Sequence, residues 1–346
     1  MLIAIRVDSS LKIGSGHLMR CLTLAEKLRS EKQAEIHFIC RDLEGNLNSL
    51  IESNGFFVNI LPRHFENFDL SSYGDWLTVP QEVDAKETAE ILKTLGDVQR
   101  LIVDSYSLDF RWENFLRSFC GEIFVIDDLA NRKHDCDFLL DQNFYLGKDL
   151  RYCHLVPKNC KLLLGPRHAL LRKEFYTARK NLRRRDGSIK RVLIFYGGID
   201  STDETSKALK AFVRMMLENV KIDVVVGSKN PQKFEIEKFC HQYDFLRYHE
   251  QINNMAELMG AADLAVGAGG STTWERCFLG LPSLVTAVAE NQVKGCEDLD
   301  KANFIKYLGQ AEGVTPEKII EAIQSLHSET LLELQKNCLA IFDESN

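Results

Sequence analysis

Short apolar runs alternate with stretches of helical periodicity through both halves of the chain, and this rhythm restricts the fold more than any single motif does. In the first half, runs at residues 2–7, 36–40, 57–61, 101–104, 123–126 and 138–140 are separated by helical stretches near 18–30, 46–54, 82–95 and 109–119. Parallel strands need long crossovers, so this alternation predicts a mostly parallel sheet with helices on both faces. A polar, basic segment around 175–189, containing Asp186-Gly187-Ser188, interrupts the rhythm. It then restarts with runs at 191–196, 222–226, 246–248, 264–266 and 283–288, between helices at about 203–218, 231–242 and 254–261 and one opening near Ser271. The expectation is two doubly wound, Rossmann-like α/β domains, residues 1–175 and 190–346, joined by a linker of about 176–189. A chain of 346 residues is long enough for two separate cores. Ligands of open α/β sheets gather at the carboxyl ends of the strands, so two such domains predict a cleft where those ends face each other. Lys180, Arg183, Arg184 and Arg185 read as the solvated face of a connecting helix.

A formal net charge of −7 argues against general binding to nucleic acid or an anionic membrane, which takes a basic face. The ten cysteines are irregularly spaced, form no Cys-x-x-Cys pair, and in part sit inside apolar runs, as at Cys21, Cys40 and Cys277. They read as reduced, buried thiols. The apolar start Leu2 to Ile5 is broken by Arg6 and Asp8, too early for a signal peptide or a membrane span, and a cytoplasmic location is expected.

The segment from Arg6 to Arg20 places a histidine where the first strand gives way to a helix. Gly14 and Gly16 are suited to a tight turn with positive φ, and Leu18, Cys21, Leu22, Ala25 and Leu28 follow at helical spacing. His17 then falls in the first turn of that helix, in a field that favours anions and a neutral imidazole able to accept a proton. The same spacing also suits a capping or core histidine. Asp8 reads as a scaffold for the loop, accepting its amides.

The second half carries two turns suited to phosphate. Tyr196-Gly197-Gly198-Ile199-Asp200 and Gly267-Ala268-Gly269-Gly270-Ser271-Thr272-Thr273-Trp274-Glu275 each end a strand and open a helix, where backbone amides can approach an anion. Neither is a Walker loop or a full dinucleotide fingerprint. Glu275, one turn into its helix, is placed to accept hydrogen bonds from the vicinal hydroxyls of a ribose, or is a surface acid. Asp104 could cap the next helix. The triplets Asp135-Cys136-Asp137 and Asp298-Leu299-Asp300 are too sparse in oxygen ligands to make a metal site, so no metal or other cofactor is expected.

Several motifs in the same order carry a family resemblance. Arg-x-Asp-x-Ser-x-x-Ile-Gly-x-Gly-His-x-x-Arg-Cys-Leu at 6–22, Asp127 to Arg132, His134 to Asp137, Leu140 to Asn143, and Gly267 to Pro282 resemble the UDP-sugar hydrolases of pseudaminic acid biosynthesis. The resemblance spans most of the chain. It implies the GT-B glycosyltransferase fold, with a sugar-binding, catalytic N-terminal domain and a UDP-binding C-terminal one. It also implies removal of UDP from UDP-2,4-diacetamido-2,4,6-trideoxy-β-L-altropyranose by water attack at C1, with inversion. By the same resemblance His17 is the general base, Gly14 and Gly16 shape its turn, and Asn291 orients water or sugar, with Gln292 beside it also binding substrate. Gly197, Gly198, Ser271 and Thr272 hold the diphosphate, Glu275 holds the ribose, and backbone near His249 to Gln251 reads uracil. Asp104 and Tyr106 lie near the sugar, and Asn143 is placed for an acetamido group or is simply a polar loop residue. The implied partner is a small-molecule UDP-sugar, with neither nucleic acid nor membrane. A glycosyltransferase with a UDP-sugar donor, a hydrolysing epimerase and a non-catalytic UDP-sugar sensor are compatible with the same residues.

Overall fold

The structure, a computed structural model, describes residues 1–64, 72–217 and 219–342. The chain divides into two compact units, Met1–Asn143 with Gly147–Leu170, and Phe144–Leu146 with Leu171–Asn346.

Unit 1 is a seven-stranded sheet of β1 (Leu2–Val7), β2 (Glu35–Arg41), β3 (Phe57–Leu61), β4 (Arg100–Asp104), β5 (Glu122–Ile126), β6 (Phe138–Asp141) and β7 (Lys161–Leu164). The order is β3-β2-β1-β4-β5-β6-β7, with parallel pairing throughout. Its helices are α1 (Gly16–Lys32), α2 (Asn48–Ser53), α3 (Gln81–Leu95) and α4 (Phe110–Leu116). The apolar runs are continuous rather than alternating because both faces of the sheet are covered. One face packs Ile3, Ile5 and Phe38 with Leu18, Cys21 and Ala25 of α1; the other packs Ala4, Ile39 and Val103 with Ala85, Ala89 and Trp112. Full burial of an Ile, Leu, Val or Phe side chain among these is worth about 1.5–3 kcal/mol. β7 is an addition to the strands expected from the sequence: only four residues long and at the edge, it has a weak apolar signal.

Unit 2 opens with α5 (Lys173–Lys180) and continues β8 (Arg191–Phe195), α6 (Glu204–Met215), β9 (Lys221–Val226), α7 (Lys233–Cys240), β10 (Leu246–Glu250), α8 (Met255–Ala261), β11 (Leu264–Ala268), α9 (Thr272–Phe278), β12 (Ser283–Ala287), α10 (Glu290–Lys301), β13 (Lys306–Gln310), α11 (Pro316–Gln324) and α12 (Ser328–Ala340). The sheet runs β10-β9-β8-β11-β12-β13, the doubly wound order with a switch point between β8 and β11. Residue 218, the expected end of the helix after β8, and residues 343–346 of the expected second domain lie outside the described residues.

The division at Leu170/Leu171 precedes the polar segment expected as a linker, because α5 packs with unit 2. The basic run also departs from expectation. The helix ends at Lys180, and Arg185 is only 4% exposed, donating from Nε to the Ala262 carbonyl, from Nη1 to Leu279 and Gly280, and from Nη2 to Met259. A buried guanidinium needs such acceptors, and these carbonyls sit at the C-terminal ends of α8 and α9, Met259 in the last turn of α8 and Ala262, Leu279 and Gly280 just beyond the two helices, where carbonyls lack helical partners. Arg185 is thus a clamp on two helix ends, and burial lowers its pKa to about 10.

Candidate active site

In unit 1 the switch point lies between β1 and β4, whose last residues, Val7 and Asp104, are in register. The chain leaves β1 through a turn in which Gly14 N–H donates to the Ser10 carbonyl at 2.9 Å and Ser10 Oγ accepts from Lys12 and Ile13. Gly14 has φ +79°, as expected. Gly16 does not share the left-handed conformation expected for it; it is the first residue of α1. A Cβ on either glycine would meet nothing within 4 Å, so the space beside this turn is open.

His17 follows in the first turn of α1. Its Nδ1 lies 2.6 Å from Asp104 Oδ1. Arg20, one turn on, grips the same carboxylate with Nε on Oδ2 and Nη2 on Oδ1, both at 2.6 Å. An ionised carboxylate only accepts, so Nδ1 carries the proton, and in the tautomer this favours the lone pair is on Nε2. Burial opposes ionisation of Asp104, but Arg20 and His17 outweigh it and hold the carboxyl well below its usual range. Arg20 also reaches Asp128 Oδ2 at 3.0 Å, and Tyr106 donates to Asp128 Oδ1 at 2.5 Å with its ring edge-on to His17, centroids 4.5 Å apart. Asn143 Nδ2 donates to Asp128 Oδ2 at 3.3 Å. His17, Tyr106, Asp104 and Asn143 are therefore brought together through two residues the sequence reading left without a role, Arg20 and Asp128. Arg20 stands three residues from His17 on one helix face, a legible signal; Asp128 gave none beyond its motif.

Two expectations need correction here. Asp104 is 1% exposed with both oxygens occupied, so its carboxylate anchors His17 and Arg20; Asp109, not Asp104, caps α4, accepting from the Arg111 amide. Asp8 does not hold the glycine turn. Its Oδ1 accepts from Arg6 Nη1 at 2.6 Å and the Arg41 amide at 2.7 Å, part of a buried ion network centred on Asp84.

In unit 2 the expected turns flank the β8–β11 switch point. Gly197 has φ +93°, and Gly227 lets a neighbouring strand end approach: a Cβ there would come within 2.2 Å of the Gly198 carbonyl oxygen. Asp200 takes the amides of Glu204 and Thr205 at 3.0 Å, fixing the start of α6. Ser271 precedes and Thr272 begins α9, and Gly269 presses on Cys296, where a Cβ would lie 2.3 Å from Sγ. From α10, Gln292 packs on Gly269 and Gly270 and its Oε1 accepts from the Val288 amide at 3.0 Å, so it braces this turn; Asn291 is its neighbour in the same helical turn. At the end of β10, His249 Nε2 lies 2.8 Å from Asp223 Oδ1, and the Gln251 amide donates to Val226. Glu275 is 9% exposed, and Arg172, unassigned in the sequence reading, donates to its Oε1 from Nε and Nη2. Burial raises the Glu275 carboxyl above its ordinary value, against the pull of Arg172.

Neither aspartate triplet is free to gather a cation: Asp135 and Asp137 pair with Arg117, Asp298 with Lys294, and Asp300 takes the Tyr307 amide. Among the described residues no helix is long and apolar enough to cross a membrane.

Two parallel α/β units of this topology define the GT-B glycosyltransferase fold. The chain matches Phytolacca americana UGT2, solved with UDP-2-fluoro-glucose and pterostilbene, at a TM-score of 0.70 over 99% of this chain and 94% of that one, with 12% identity. Residues 192–342 match the family model for the glycosyltransferase family 28 C-terminal domain. An uncharacterized protein of Methanocaldococcus jannaschii is 28% identical over 86% of the chain, which spans 58% of that relative's length. The UDP-2,4-diacetamido-2,4,6-trideoxy-beta-L-altropyranose hydrolase of Campylobacter jejuni is 27% identical over 88% of this chain and 98% of its own.

Proposed function

We propose that this chain hydrolyses a UDP-linked diacetamido-trideoxy sugar, UDP-2,4-diacetamido-2,4,6-trideoxy-β-L-altropyranose, to UDP and the free sugar, a step of pseudaminic acid biosynthesis. The observation that carries the reading is the His17–Asp104 pair, which turns the basic nitrogen of a helix-mounted imidazole away from its anchor. The likeness to a hydrolase over nearly that relative's whole length supports it. Unit 2 supplies the nucleotide contacts: Gly197, Gly198, Ser271 and Thr272 at the diphosphate and Glu275 at the ribose. His17 Nε2 takes a proton from water as its oxygen attacks C1, the bond from C1 to the diphosphate oxygen breaks, and UDP leaves with the bonding pair. Asn291 and Tyr106 orient water and sugar, and Asn143 meets an acetamido group. General-base help accounts for about 10²–10⁴ of the acceleration, and positioning and charge stabilisation for the rest.

The family 28 match favours one second reading, a glycosyltransferase in which His17 deprotonates an acceptor hydroxyl. Hydrolysis in ¹⁸O-labelled water distinguishes these. The hydrolase turns over without acceptor, placing label on the anomeric oxygen and none in UDP, and rapid NMR finds the inverted anomer first. Absence of turnover with water alone favours the transferase, and label in the phosphate defeats attack at carbon altogether.

A further inference from the structure

The ten cysteines are all free, yet two pairs lie in contact: Cys136 with Cys160, Sγ to Sγ 3.6 Å, and Cys277 with Cys338, 3.5 Å. The first pair is built into the sheet of unit 1. Cys136 lies two residues before β6 and Cys160 one residue before β7, and the Lys161 amide donates to the Asp137 carbonyl at 2.8 Å, so the two cysteines enter neighbouring strands one residue out of register.

The two pairs differ in access and in charge. Cys277 and Cys338 are 1% and 0% exposed, and the hydrogen bond between them, with burial, raises the Cys338 thiol far above its ordinary value. Cys136 is equally sealed, but Cys160 is partly exposed. The hydrogen bond from the Cys136 thiol lowers the Cys160 pKa, prevailing over burial and over Asp137 and Glu113. His134 helps. Burial opposes its protonation, but Asp127, 3.9 Å from its Nε2, and Glu113, on its Nδ1 at 2.7 Å, raise its pKa to about 9, so it is an imidazolium near Cys160 at neutral pH. A partly exposed thiol beside a fixed cation, with a second thiol in contact behind it, is the environment of a reactive cysteine with its resolving partner.

We propose that Cys136 and Cys160 are a peroxide-oxidisable dithiol, in which Cys160 reacts first and Cys136 closes the disulfide. The Cys160 thiolate attacks one oxygen of hydrogen peroxide. The O–O bond breaks, Cys160 becomes the sulfenic acid, and the departing hydroxide takes a proton to leave as water. Cys136 then loses its proton and attacks the Cys160 sulfur, the S–O bond breaks, and hydroxide leaves as a second water. Two thiols are oxidised by two electrons in all, and one peroxide is reduced to two waters. The sulfurs close from 3.6 Å to about 2.05 Å.

The test is to treat the full chain with a small excess of hydrogen peroxide, block remaining thiols with iodoacetamide after unfolding, and map peptides by mass spectrometry. The expected result is a Cys136–Cys160 linked peptide lacking two hydrogens, with Cys277 and Cys338 recovered as alkylated thiols. Dimedone added during oxidation of Cys136→Ser is expected to mark Cys160, whose sulfenic acid then has no resolving partner. A link from Cys160 to the exposed Cys153 instead, or Cys136 and Cys160 both alkylated while other cysteines oxidise, overturns the proposal. The wild-type map decides even where Cys136→Ser does not fold.

Discussion

Both nitrogens with which Arg172 holds Glu275 land on a single oxygen, Oε1, at 3.2 Å from Nε and 3.0 Å from Nη2, while Oε2 is buried with no hydrogen-bond partner among the described residues. A buried carboxylate oxygen left unpaired is costly, and a ligand hydroxyl that donates to it recovers that cost. Arg172 pulls the carboxyl toward ionisation in a place where burial favours the acid.

Glu275→Ala is expected to weaken UDP binding by about 1.5–3 kcal/mol, the worth of a charged hydrogen bond, in titration calorimetry. Because burial raises the carboxyl pKa, the wild type should also lose UDP affinity on acidification earlier than an ordinary glutamate would dictate, and the variant should not. Equal UDP affinity of the two proteins at neutral pH contradicts the ribose role.

His17→Ala should keep UDP affinity and lower turnover by about 10² or more. UDP release measured with the diacetamido substrate checks it, and a rate near wild type removes His17 from the chemistry.

Asp104→Asn separates orientation from bulk. An amide in place of the carboxylate can present its NH₂ to Nδ1, which moves the ring proton to Nε2 and removes the base; kcat is expected to fall about 10²–10⁴, with KM changed far less. The substitution also leaves Arg20 short of an anion, so thermal unfolding is measured alongside. A folded Asp104→Asn with normal kcat would show that the tautomer is immaterial.

His134 makes stability depend on alkaline pH. Its folded pKa of about 9 exceeds the ordinary 6.5, so its contribution is complete below pH 6.5 and is lost as pH rises through about 9. The amount at stake is on the order of 3 kcal/mol. Urea unfolding of wild type and His134→Gln at pH 6 and 10 isolates it: the gap between them should narrow at the higher pH, and a constant gap sinks the assignment.

Activity should survive EDTA, because the aspartates that could mimic a metal pair are engaged by Arg117, Lys294 and a backbone amide. Loss of activity in chelator with recovery on adding magnesium or manganese would reverse this.

Much of the fold was legible in sequence order because it is a matter of local periodicity. A buried parallel strand such as β11 is a continuous apolar run and a covering helix repeats every three to four residues, so both units could be read as alternating elements. The place of His17 was legible for the same reason: strand, glycine turn and helix are contiguous, and Gly14 takes its expected conformation. Short edge elements such as β7 carry too few residues to leave a pattern.

What sequence by itself determined was the order of elements, the two-unit organisation and the mounting of His17, because neighbours along the chain decide these. Tertiary structure alone decided the partners. Asp104 is 87 residues from His17, Asp128 is 108 from Arg20, and Glu275 is 103 from Arg172. A basic run gives no sign that Arg185 is buried against carbonyls while a neighbour faces water. Such pairings depend on which strand ends the sheet order sets side by side, and the free energy of burying a charge is settled only by the groups that fold against it.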